Sequence, residues 1–151
     1  MRVNDTDTSW FLRSDGVRDR TLIALVWLVL LFSALHTGDH VVRENLGRPL
    51  TPASITSLMV SAFIFVLVGL GLYLYTRGII GPRIWVIAGC LGFVFGMLAH
   101  LSPFTDQTVR SIAAAYDTKV RGWLAASVFV GLMASMLATT LYATHLSRKA
   151  V

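Results

Sequence analysis

The sequence predicts an all-α fold, an integral membrane four-helix bundle, and three observations carry that prediction. Hydrophobic residues make up 55 % of the 151-residue chain and charged residues only 14 %, against about a quarter charged in a soluble domain. The apolar residues are gathered into four runs, each near the roughly 20 residues that a helix needs to cross a hydrocarbon core. The basic residues stand singly or in pairs at the ends of those runs, where membrane helices are anchored.

Residues 1–20 read as a polar leader. An unbroken apolar stretch from Leu22 to Leu35 places the first helix at about 21–40. Gly47, Pro49 and Pro52 mark a turn after it. The second helix is expected over 54–76, with Tyr73 and Tyr75 in an interfacial aromatic belt. Gly78, Gly81 and Pro82 form a tight turn, and the third helix follows over 84–101, stopping before Pro103. The stretch from Phe104 to Gly122 is polar, with a short helical segment expected around Val109 to Tyr116. The fourth helix is expected over 123–145. The four-helix domain thus covers 21–146, and 147–151 is a basic tail.

A signal peptide competes for the first run. The leader carries four aspartates beside its four arginines, and no small-x-small site closes the run at Ser33-Ala34-Leu35-His36; the segment reads as a retained helix. Lysines and arginines number eight on the side of the leader, the second turn and the tail. The opposite side has five: Arg43, Arg48, Arg110, Lys119 and Arg121. This bias places both termini in the cytoplasm. The net charge of +5 is spread over helix ends and builds no phosphate-binding face. The expected partners are therefore the lipid bilayer and a homo-oligomer or larger membrane complex, and not nucleic acid. The single cysteine, Cys90, is expected to pack as a small buried hydrophobe.

In lipid, helices associate through small residues. Gly89, Gly92 and Gly96 line one face of the third helix, and Ser127, Gly131, Ser135 and Thr139 recur at four-residue spacing on the fourth. These are the expected contact surfaces of the bundle.

The chemistry-bearing residues lie at the extracytoplasmic end. His36, Asp39, His40, Arg43 and Glu44 follow one another at helical spacing. His36 stands sixteen residues beyond Arg20 and His100 seventeen beyond Arg83, or roughly 24 and 25 Å along their helices. The two histidines therefore share a depth just inside a core about 30 Å thick. His100 also continues the glycine face and should point into the bundle, whereas His145 belongs to the cytoplasmic end. Polar groups at such depth pair with one another or serve a site. Three readings stand. Asp39 could pin the bundle through a histidine or Arg43. His36, His40 and His100, with Asp39 as ligand or orienting group, could hold zinc, copper or another divalent metal, or His100 could ligate a haem. The cluster could also respond to protons or bind a ligand. Met59 and Met97 are candidate additional copper ligands. No zincin motif, phosphate loop, nucleophile elbow or CxxC occurs, so a membrane enzyme or redox carrier is the least supported of the readings.

The stretch His36-Thr-Gly-Asp-His-Val-Val-Arg43, followed by Gly47-Arg-Pro49, resembles small four-helix membrane proteins of actinobacteria. Those proteins carry H-x-x-D-H-V/L-x-R, a Gly-x-Pro loop, and a histidine late in the third helix. Arg48 stands where the pattern has an aromatic residue. The family has no assigned activity, so the resemblance implies a topology and draws attention to the histidines.

Overall fold

The structure, a computed structural model, describes residues 18–45, 52–101 and 108–149. All regular structure among them is helical: α1 (Arg20–Asn45), α2 (Pro52–Thr76), α3 (Arg83–Leu101), the short α4 (Val109–Ala114) and α5 (Lys119–Lys149). Four of the five are long and apolar enough to cross a membrane. Most of the leader, the Gly47 to Pro49 turn, Pro103 and the side chain of Glu44 lie outside the described residues.

Local chemistry sets the helix ends. Asp19 caps α1, its Oδ1 accepting the Leu22 N–H at 3.0 Å. Helix α1 runs to Asn45, past the expected end near residue 40. The Asp39–Arg43 pair at i,i+4 spacing supports this added turn, and Arg43 there suits the helix dipole. Helix α2 begins at Pro52, a residue tolerated in a first turn because its missing N–H has no intrahelical role. It ends in a Schellman motif: the Ile79 N–H donates to the Leu74 carbonyl, the Gly78 N–H to that of Tyr75, both at 2.9 Å, and Gly78 takes φ 72°. Helix α5 starts at Lys119, four residues before the expected start. The Thr118 hydroxyl accepts the Arg121 N–H, and Arg121 pairs with Asp117 at 3.1 Å. The absent side chain of Gly122 lets the Ala113 backbone of α4 approach directly. At 31 residues α5 is about 46 Å long, well beyond the ~30 Å hydrocarbon core.

Helix α5 is the spine of the bundle. It packs along α1 and α3 and carries α4 near its start, while α2 leans chiefly on α1. The glycine face of α3 lies on α5, with Gly89 against Thr140 and the Met136 carbonyl and Gly96 against the Met133 sulfur. The stripe on α5 is buried at Ser135 and Thr139, and Gly131 receives the Phe32 ring of α1, but Ser127 is exposed. A leucine at Gly131 would occupy the space of that ring, so Gly131→Leu should lower stability by about 1–3 kcal/mol, read by thermal denaturation in detergent. An unchanged midpoint would show that α1 can shift away from α5 without cost.

At the end opposite the histidines, Leu22, Val26, Leu72, Trp85 and Ala143 form an apolar cluster closed by a polar knot. Asp19 Oδ2 accepts the Tyr142 hydroxyl at 3.0 Å, and the Tyr75 hydroxyl accepts the Asp19 N–H. Tyr73 takes the exposed position expected of an aromatic belt, with the Arg77 guanidinium over its ring. Tyr75 does not: it is 5 % exposed and packs edge-on against Trp85. Cys90 also departs from expectation, being exposed on α3, because it lies off the glycine face that meets α5.

Candidate metal centre

Helical periodicity puts His36 and His40 on one face of α1, one turn apart. Their rings meet edge to face with centroids 4.7 Å apart. His100 arrives from α3 as the last member of the face that begins at Gly89 and lies along α5, and it is only 6 % exposed. Its ring centroid is 5.0 Å from that of His36 and 5.8 Å from that of His40. Phe129 of α5, also buried, floors the group, with its ring centroid 4.4 Å from His100 and 5.6 Å from His36. Two helices therefore hold three imidazoles over one apolar ring supplied by a third.

The donor atoms converge more closely than the rings. His36 Nε2 and His100 Nε2 are 3.2 Å apart, and one nitrogen from each of the three histidines falls within 4.8 Å of the others. Two nitrogens bound to one tetrahedral zinc at ~2.05 Å stand ~3.3 Å apart. The His36–His100 separation is thus that of two ligands sharing an ion, and equally that of a hydrogen bond between two neutral imidazoles. The other nitrogen of His36, Nδ1, is buried with no hydrogen-bond partner.

Asp39 is buried beside the triad, with its oxygens directed elsewhere. Oδ2 accepts the Arg43 Nε–H at 2.8 Å, in a pair whose side chains are 7 and 9 % exposed. Oδ1 accepts a hydrogen bond from the Tyr116 hydroxyl. Burial, the bond to this carboxylate and its negative charge push the Tyr116 hydroxyl up to about 12, so the phenol is a donor at any physiological pH. Arg43, one turn along the same face, and Tyr116 occupy the carboxylate expected as a ligand or orienting group. Asp39 instead ties α1 to the segment joining α4 and α5.

The remaining candidates separate. His145 is exposed near Tyr142 at the opposite end. Met59 is 68 % exposed and Met97 also faces outward; the methionines near the histidines are Met133 and Met136, which with Phe129 line a cavity of about 170 Å³ reaching His36 and His100. Sequence reasoning missed Phe129 and Tyr116. Phe129 falls two residues from Ser127 and Gly131 on a helix whose apolar residues look alike. Tyr116 had one signal, an isolated phenol in a polar stretch just beyond a short helix. Comparison of the chain with protein-family models, curated proteins and solved structures returns no match.

Proposed function

We propose that the protein is a multi-pass membrane protein that binds one divalent metal ion, best matched by zinc, through His36, His40 and His100. The observation that carries this reading is the convergence of three imidazole nitrogens from two helices within 4.8 Å, at a depth where ionisable groups pair with one another or serve a site. Neutral imidazole suits zinc or copper. Haem suits the site less well: with His100 as an axial ligand, the His36 Nε2 only 3.2 Å from its Nε2 leaves little room for a macrocycle. Both termini are assigned to the cytoplasm by the eight-to-five distribution of basic residues, which puts the metal at the extracytoplasmic end.

A second reading is supported by the hydrogen-bond distance between His36 and His100 and by the Asp39 network: the cluster stabilises the bundle of an accessory subunit and binds nothing. Metal analysis of detergent-purified protein separates the two. The metal reading expects about one zinc per chain after equilibration and dialysis, and none in a folded His36→Ala/His40→Ala/His100→Ala variant. Equal zinc in the two proteins, or none in either, would leave the structural role.

A further inference from the structure

The cavity beside the histidines is lined by residues of α1, α2, α3 and α5. At the end near the connecting turn, Trp85 of α3 seats against Gly71 of α2. Toward the histidine end, Ser61 and Phe65 of α2, Phe95 and Gly96 of α3 and Met133 of α5 line a space of about 170 Å³, and α2 and α3 make few contacts with each other. Phe95, which lines it, is largely exposed on the apolar outer surface, so the cavity borders a face that lipid would cover. The head of the cavity is His36 and His100.

Three properties define an occupant. A cavity of about 150 Å³ holds a benzene ring, so this one holds a ring with a small head group, and its open mouth lets a tail continue outward. The walls are mainly apolar, with Ser33, Thr37 and Ser61 the hydroxyl groups among them. Three neutral imidazoles leave a divalent ion with both its positive charges, and the nearby Asp39 carboxylate is already matched by Arg43. A buried uncompensated charge is costly, so an anionic fourth donor is favoured over a neutral one.

We infer that this cavity is a binding site for a lipid-soluble aromatic carboxylate, which enters between α2 and α3 and places its carboxylate on the metal held by the triad. The inference rests on the metal reading and gives that site a ligand class. Cobalt(II), a visible probe of tetrahedral coordination, separates the two in the full-length protein in detergent. Cobalt bands should form first. Addition of 4-butylbenzoate should then shift them at concentrations roughly tenfold or more below those of acetate, because the ring and chain bury apolar area; butylbenzene, lacking a donor, should leave them unchanged. A Ser61→Phe variant, which fills the mouth from the loosely packed α2, should keep the cobalt bands and need about tenfold more 4-butylbenzoate for the same shift. Bands that form but respond equally to acetate and 4-butylbenzoate would overturn the ligand site while leaving the metal site standing. Failure of any cobalt band to form would remove both.

Discussion

Replacing His100 by asparagine should weaken zinc binding by about 1,000-fold, or ~4 kcal/mol, while the protein remains folded. Asparagine keeps hydrogen-bonding capacity toward His36 but is a poor ligand for zinc, which takes imidazole nitrogen, thiolate or carboxylate. His100 is the only member of the triad from α3, so its loss leaves two donors on one turn of α1 and removes the link between helices. Binding to the folded state alone raises stability by RT ln(1 + [L]/Kd), ~2.7 kcal/mol at a hundredfold excess over Kd. The melting temperature of the wild-type protein should therefore rise with zinc, and that of His100→Asn should not. If both melt at the same temperature and neither responds to zinc, the close approach of the two Nε2 atoms is a structural hydrogen bond and the metal reading is wrong.

How much of this could be read in the chain depends on what membrane sequences encode. Helix existence was legible because spanning segments must be long and apolar, and the pairing of His36 with His40 followed from a four-residue spacing. His100 could be aimed inward because glycines mark where backbones approach, and Gly96 does meet Met133 of α5. Inside and outside were otherwise poorly encoded. Lipid is as apolar as a packed helix face, so hydropathy does not separate buried Phe129 from exposed Phe95, or say which way Cys90 points. Tyr75 shows the same degeneracy for amphipathic residues: a phenol at a helix end suits a lipid interface and suits a buried knot equally well until Asp19 is in place. Long-range polar contacts were least legible. Tyr116 reaches Asp39 across 77 residues and Tyr142 reaches Asp19 across 123, and neither spacing leaves a periodic trace.

The Asp39–Arg43 pair gives the largest expected effect on stability, and it bears on how firmly the end of α1 that carries His36 and His40 is held. With side chains only 7 and 9 % exposed, both charges have lost most of their hydration, and removing one partner of a buried pair costs about 3–5 kcal/mol. Arg43→Met keeps the apolar stem and removes the guanidinium. The carboxylate then retains the Tyr116 hydroxyl as its donor, which does not offset a buried negative charge. The variant should unfold at lower denaturant or temperature by an amount in that range. Asp39→Asn/Arg43→Met removes both charges and should recover more than half of the loss, a coupling that a double-mutant cycle isolates. Zinc binding provides the second readout. Asp39 orients the end of α1 and supplies no donor to the triad, so the folded double variant should still bind one zinc, several-fold more weakly because His36 and His40 are held less firmly. Complete loss of zinc from a folded double variant would instead make Asp39 a ligand, its carboxylate turning from Arg43 to the metal.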